Sequence, residues 1–344
     1  MPRLFFEDLT PGRVSTYGGH RVDRDEMVAF AQEFDPQPFH TDEAAARHTF
    51  VGRLIASGWY TGALQMRMLC DAWLLDSSSM GGPGIDELTW LHPVVPGDTL
   101  SVRQSILDAK PSRSRSEMGL VRFKLETLNG SGEVVMVQVH TGMFGRRGAA
   151  APTPEATAAG RVPDQGRETA STDIVERRPA RTAIHPFEAV EIGQPVDLGA
   201  HLFDRKDVLR FGRLYDPQPF HTDEEAASRS HFGGLVASGW HTAAVWMRRL
   251  VDGRREAVEE AQANGRPPPK FGPSPGLKDL RWLRPVFAGD TISFATIPVD
   301  KRLSASRPGW GIVFSRNTGV NQKGELVFEF SGSGFLASAE ANGA

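Results

Sequence analysis

Cysteine is almost absent from this chain of 344 residues, and long apolar runs are missing. The single Cys70 cannot form an internal disulfide, and because it lies in the apolar run "GALQMRMLCDAWLL" we expect a small buried side chain. No apolar stretch has the length needed to cross a bilayer, and the start "MPRLFFEDLTPGRV" lacks the basic and apolar regions of a secretion signal. The sequence therefore predicts a cytoplasmic protein without membrane contact.

A strong excess of charge is also missing. The chain has 39 Lys and Arg against 42 Asp and Glu, a net charge of −3, and no basic block dense enough to follow a phosphate backbone. A nucleic-acid partner is therefore not expected. The hydrophobic share of 40% is that of an ordinary globular protein with enough material for a core.

What the sequence does contain is an internal repeat. The nine residues "DPQPFHTDE" occur at 35–43 and again at 216–224, and the same shift of 181 brings "ASGW" at 56–59 onto "ASGW" at 237–240. Beyond an insertion in the second half, a shift of 192 pairs "PGIDELTWLHPVVPGDTL" with "PGLKDLRWLRPVFAGDTI". Similarity over whole half-chains indicates a duplicated domain.

The repeat sets the domain boundaries. We predict one domain over residues 1–147 and a second over 183–344, each of ordinary domain size. The segment 148–182 between them is rich in Ala, Pro, Gly and Thr and has little apolar bulk, so it is predicted to be a flexible linker.

Within each half the hydrophobic periodicity changes. "VDRDEMVAFAQEF" has helical spacing with Asp23 as a capping residue, and it ends where the first proline of "DPQPFH" forbids helix continuation. A second helix, apolar on nearly every side, begins at Ser57-Gly58, and the last third alternates as antiparallel strands do. This order predicts an α+β fold in which a sheet wraps around one buried helix.

These residues resemble the MaoC-like (R)-specific enoyl-CoA hydratase/dehydratase family, which has the hotdog fold. The family signature is Asp, any residue, Asn, Pro, an apolar residue and His, followed further along by a small residue and a Gly that opens the central helix. Gln replaces the usual Asn here, and Ser-Gly-Trp replaces the usual His-Gly-Met. The resemblance implies two tandem hotdog domains packed as an internal pseudo-dimer. The matching residues are Asp35 to His40 with Ser57-Gly58, and Asp216 to His221 with Ser238-Gly239.

The same residues suit the addition of water to an α,β-unsaturated thioester. That reaction needs a base for the water, an acid for the α-carbon, and positive potential at the carbonyl oxygen. His40 and His221 can exchange protons near neutral pH, and Asp35 and Asp216 could hold the same water from another side. We therefore predict that both Asp/His pairs are catalytic.

Two glycines are the candidate oxyanion donors. Gly58 and Gly239 open a buried helix, where the backbone N–H is free of a side chain and the helix dipole adds positive potential. Their neighbours are predicted to line the substrate pocket, with a place in the core as the alternative for the tryptophans: Ser57, Trp59, Ser238 and Trp240.

Two basic loops could bind the phosphates of coenzyme A, although an ordinary solvated turn is an equal alternative. Coenzyme A would enter as part of the substrate, and no separate cofactor is expected. "HTD" lacks a further His or Cys at ligand spacing, so no metal site is predicted, and Asp42 and Asp223 are expected to cap the following helix instead. The basic residues of the loops are Arg113, Arg115, Lys301, Arg302 and Arg307.

The sequence therefore predicts reversible hydration of a trans-2-enoyl-CoA to an (R)-3-hydroxyacyl-CoA. A hotdog thioesterase and a non-catalytic acyl-CoA-binding protein are the alternatives. Two-domain hydratases of peroxisomal multifunctional enzymes have lost the catalytic pair from the amino-terminal half, whereas neither half has lost it here, so we expect both halves to be active. A homodimer of the two-domain chain is a further expectation.

Overall fold

The computed structural model describes residues 2–149 and 187–338, and most of the predicted linker lies outside them. In the described ranges both halves follow the same order: one strand, three shorter α-helices, one long α-helix and four strands. The first half contains β1 Val14–Arg21, α1 Arg24–Phe34, α2 Pro38–Thr41, α3 Glu43–Ala46, α4 Gly58–Ala72, β2 Gly84–Trp90, β3 Thr99–Pro111, β4 Met118–Leu128 and β5 Val134–Gly145. The second half contains β6 Val196–Leu202, α5 Arg205–Tyr215, α6 Pro219–Thr222, α7 Glu224–Arg229, α8 Gly239–Ala263, β7 Gly276–Trp282, β8 Thr291–Leu303, β9 Trp310–Asn321 and β10 Leu326–Ala337.

The repeated motif lies where local signals end one helix and start the next. The Asp23 carboxylate accepts hydrogen bonds from two N–H groups of the first turn of α1, which ends at Phe34 just before Asp35 and Pro36. Pro38 then opens α2, a single turn that carries His40. Asp42 caps α3 through the Ala45 N–H, as predicted.

The ten strands within residues 2–149 and 187–338 form one antiparallel sheet in the order β1-β3-β4-β5-β2-β7-β10-β9-β8-β6. The halves meet where β2 pairs with β7, with Ile85 opposite Leu280. The contacts between halves follow a pseudo-twofold axis, because Arg67 donates to the Arg213 carbonyl and Arg248 donates to the Gln32 carbonyl, each at 2.9 Å. The predictions of an α+β fold and an internal pseudo-dimer are confirmed.

The long helices α4 and α8 are the cores of the two halves. They pack on each other closely enough that Trp240 of α8 fills the space where a side chain at Gly62 of α4 would stand. Helix α8 has 25 residues against 15 in α4, so its last turns, including Arg254, run past the position that corresponds to the end of α4. No helix in the described ranges is long and apolar enough to span a membrane.

Candidate active site

Asp35 and His40 form a buried pair beneath the start of α4. Asp35 Oδ2 lies 3.3 Å from His40 Nε2, and the two residues are 3% and 4% exposed. His40 Nδ1 lies 2.9 Å from the Ile55 carbonyl oxygen. Because a carbonyl can only accept, Nδ1 carries a proton and Nε2 is the nitrogen that faces Asp35.

Donors surround the Asp35 carboxylate. The Ser57 hydroxyl donates to Oδ2 at 2.7 Å, and the Gln37 side-chain amide donates to Oδ1 at 2.9 Å. Burial would raise the pKa of Asp35, but the His40 charge and the hydrogen bonds from His40, Ser57 and Gln37 outweigh it, so the pKa falls below its usual value. Asp35 is therefore a carboxylate at neutral pH.

The Ser57 hydroxyl makes two hydrogen bonds: besides donating to Asp35, it accepts one from the Trp59 N–H at 3.2 Å and so caps α4. It links the carboxylate to the helix start. Its predicted contact with substrate stays a prediction.

The second pair repeats this geometry. Asp216 Oδ2 lies 3.4 Å from His221 Nε2, and Ser238 donates to the same oxygen at 2.6 Å. Gln218 donates to Asp216 Oδ1 at 3.0 Å, and His221 Nδ1 lies 2.8 Å from the Val236 carbonyl. Burial raises the pKa of Asp216, and the His221 charge with the same set of hydrogen bonds lowers it further than burial raises it.

The surroundings of the two pairs differ. A cavity of about 590 Å³ opens beside the first pair and is lined by Asp35, His40 and Gly58. Much of its wall comes from the other half of the chain, including Arg254 of α8 and Asn317 of β9. The first motif therefore forms its site together with the second domain.

Aromatic rings fill the corresponding place near the second pair. Trp73 stacks on Phe144 with centroids 5.9 Å apart, and Phe123 stacks on His140 at 5.3 Å, each pair inclined by 24°. Phe123 and Phe144 are each 2% exposed. Under the repeat shifts of 181 and 192, these four rings stand where the other half has cavity-lining residues. Trp73 corresponds to Arg254, Phe123 to Ser315, His140 to Gly332 and Phe144 to Leu336.

The Gly58 N–H stands at the first helical position of α4, on the cavity wall, and it has no hydrogen-bond partner within residues 2–149 or 187–338. A side chain at Gly58 would overlap the indole of Trp90, whose Nε1 donates to the Gly58 carbonyl at 3.1 Å. Gly239 meets Trp282 in the same way. Glycine is therefore required at both positions by a close indole contact.

The predicted tryptophans occupy different environments. Trp59 lines the cavity and packs edge-on against Trp90, with centroids 5.8 Å apart. Trp240 is 5% exposed and packs on Gly62 in the core between the two long helices. Trp59 is thus the one of the two that stands at the first pair.

The basic residues of the two predicted loops also lie in different environments. Arg307 is exposed, lines the cavity, and lies over the Phe50 ring with its guanidinium carbon 3.7 Å from the centroid. Its repeat equivalent Arg115 is held by Glu117 at 2.7 Å. Lys301 donates to three backbone carbonyls between 187 and 190, and its place is structural. Arg302 lies over the Phe314 ring, and Arg113 is exposed.

Sequence reasoning missed three residues at the first pair. Gln37 orients the carboxylate, Arg254 donates to Gln37 Oε1 at 3.1 Å, and Trp246 has a buried indole N–H without a partner in the described part of the chain. The signal for Arg254 was present in the repeat, where a charged residue stands in α8 at the place of Trp73.

Comparisons with known proteins agree with this architecture. The family described as "MaoC like domain" matches residues 10–126 and again 187–309. A mesaconyl-CoA hydratase of Cereibacter sphaeroides is 31% identical over 123 residues, which are 36% of this chain and 34% of that protein, so the match spans about a third of that relative's length.

Solved structures show the same fold over nearly the whole chain. A MaoC domain protein of Chloroflexus aurantiacus superposes with a TM-score of 0.75 at 16% identity, covering 97% of both chains. A conserved hypothetical protein of Mycobacterium tuberculosis with a double hotdog fold superposes with a TM-score of 0.66 at 16% identity, covering 96% of this chain and 98% of that one. The double hotdog architecture expected from the sequence is confirmed.

Proposed function

We propose that this chain, which belongs to the MaoC-like domain family, reversibly hydrates a 2-enoyl-CoA thioester to a 3-hydroxyacyl-CoA by means of Asp35 and His40. The observation that carries the proposal is the pairing of an ionised carboxylate and an imidazole at the wall of a cavity, beside a helix-start backbone N–H that has no partner among the described residues. The R configuration of the product is what the family resemblance implies.

The geometry supports a proton-transfer mechanism. The step uses His40 with Nε2 unprotonated: a water molecule held between Asp35 and His40 gives a proton to Nε2 while its oxygen bonds to the β-carbon. The electron pair of the double bond moves toward the thioester, and the Gly58 N–H stabilises the resulting enolate oxygen. His40 Nε2 then delivers that proton to the α-carbon and returns to its starting form. The product has gained OH at the β-carbon and H at the α-carbon, so water is fully accounted for.

Asp35 has a separate task in this mechanism. As a carboxylate held by Ser57 and Gln37, it accepts a hydrogen bond from the water and stabilises the imidazolium form of His40. Its position is fixed before substrate arrives, because Pro36 and Pro38 restrict the backbone on either side of Gln37.

We further propose that the first pair is the working one. The motif by itself predicts two active halves, since Asp216 and His221 keep the geometry of the first pair. The aromatic rings of Trp73, Phe123 and Phe144 support a different account, in which the second motif holds a helix end and a loop together but has no room for an acyl group.

The proposal is tested with the purified full chain and crotonyl-CoA. Hydratase activity predicts loss of the enoyl absorbance, formation of 3-hydroxybutyryl-CoA and no free thiol. Thiol release without a hydroxyacyl product would assign the cavity to a thioesterase. Binding of acyl-CoA without either product, across short and long enoyl chains, would leave a non-catalytic binding protein.

A further inference from the structure

Arg254 places a positive charge inside the cavity of the first pair. It belongs to the part of α8 that extends past the position corresponding to the end of α4, it is half-buried, and it lines the cavity. Its guanidinium carbon lies 4.8 Å from the centroid of the Phe271 ring, which also lines the cavity. The arginine is thus fixed against an aromatic wall.

No carboxylate neutralises this charge directly. Nη1 donates to Gln37 Oε1, so Arg254 reaches the ionised Asp35 only through the Gln37 amide, and no carboxylate of the described ranges lies within ion-pair distance of it. Burial lowers the pKa of Arg254 to about 10, against the opposing attraction of the Asp35 charge, and the group stays protonated at neutral pH. A half-buried cation without a direct carboxylate partner in the described ranges is stabilised by a ligand that supplies the anion.

The wall near Arg254 is polar in further places. Ser315 and Asn317 line the same cavity. A straight hydrocarbon chain would leave the Arg254 charge without an anionic partner.

We propose that the acyl group bound here carries a second carboxylate and that Arg254 binds it, so the substrate class is a short enoyl thioester of a dicarboxylic acid. This inference rests on the proposed function, since it names the substrate of the same site. Guanidinium and carboxylate match in geometry and charge, and the hydrogen bond to Gln37 leaves further N–H groups of Arg254 free to donate. Water adds as before, with OH on the β-carbon and H on the α-carbon.

Arg254 could instead only position Gln37 and Asp35. The two roles are distinguished by a pair of substrates that differ at one group. Fumaryl-CoA carries a carboxylate where crotonyl-CoA carries a methyl group, and both have the same double bond. A positioning residue affects both substrates alike, whereas a carboxylate-binding residue changes the ratio of their kcat/KM values.

The experiment measures that ratio for the wild type, Arg254→Met, Arg254→Lys and the control Arg255→Met. Arg255 is the next residue on α8, is exposed, and pairs with Asp252. We expect the wild type to prefer fumaryl-CoA and Arg254→Met to reduce the ratio on the order of tenfold to hundredfold, as loss of a charge-assisted hydrogen bond does. Arg254→Lys should retain part of the preference, and Arg255→Met all of it.

A binding measurement separates failure of this inference from failure of the proposed function. Calorimetric titration with succinyl-CoA and butyryl-CoA, which cannot be hydrated, should show preference for succinyl-CoA in the wild type and none in Arg254→Met. An equal ratio in wild type and Arg254→Met, or equal affinity of the wild type for both analogues, overturns the inference. Absence of hydration together with a retained preference for succinyl-CoA would overturn the proposed reaction and leave the carboxylate site standing.

Discussion

Arg254 Nη1 donates to Gln37 Oε1 at 3.1 Å, although the two residues are 217 positions apart in the chain. Gln37 in turn holds Asp35, so a helix of the second half stabilises the carboxylate of the first half. The duplicated halves are therefore unequal partners: one carries the motif beside the cavity, and the other supplies much of the wall. At the second motif, Ser79 of the first half makes the corresponding contact by donating to Gln218 Oε1 at 2.8 Å.

The two helix-start glycines offer a matched pair of substitutions. Gly58→Ala and Gly239→Ala should each displace an indole, Trp90 or Trp282, and lower thermal stability to a similar extent. Only Gly58→Ala should also reduce kcat, about a hundredfold, because a displaced helix start removes the oxyanion donor. Steady-state hydration and thermal melts of both variants check this. Equal loss of kcat in the two variants would place an oxyanion site in each half.

Arg307 is expected to meet a phosphate of the carrier. Arg307→Gln should raise KM for a CoA thioester about two- to fivefold, the size of an exposed ion pair, with kcat nearly unchanged. Added salt should mimic the substitution. Arg115→Gln is the control, because Glu117 already pairs with that arginine and KM should not move. If KM for Arg307→Gln equals that of the wild type at low salt, Arg307 does not bind a phosphate and its loop is an ordinary exposed turn.

Acid should destabilise the protein through buried neutral histidines. Burial lowers the pKa of His241 to about 3, and the ring stacks on Phe211 with centroids 4.6 Å apart. The unfolded chain takes up a proton near pH 6.5, so this contribution is complete above that pH and is lost as pH falls toward 3, by about 1.4 kcal/mol per pH unit. His241→Phe should flatten the dependence of unfolding free energy between pH 6.5 and 4 measured in denaturant. Parallel curves for wild type and variant would show that His241 titrates normally.

Local signals made the motif and its setting predictable. Pro36 stops α1, Ser57 caps α4, and the repeat doubles the evidence for both, so the loop, the helix start and the duplicated fold follow from short stretches of sequence. The assignment of Asp35 and Gly58 to catalysis stays a prediction that the geometry supports.

Distant contacts were not predictable in the same way. Whether Arg254 faces solvent or Gln37 depends on how α8 crosses α1 of the other half, and no local pattern records that crossing. The aligned repeats show that Phe123 corresponds to Ser315. They do not show which residues stand next to each, because that depends on the sheet register, which sets Phe123 opposite His140 and Ser315 opposite Gly332. Two identical nine-residue motifs therefore gave no indication of their unequal surroundings.

The central claim is that the first Asp/His pair performs the reaction and the second maintains structure. The most direct test compares kcat of His40→Asn and His221→Asn on one enoyl-CoA, with thermal melts confirming that each variant is folded. The account predicts a loss of about 10²-fold to 10⁴-fold for His40→Asn, the usual range for acid–base catalysis, and nearly wild-type kcat for folded His221→Asn. A folded His221→Asn variant without activity, or half of the activity remaining in each variant, would contradict it.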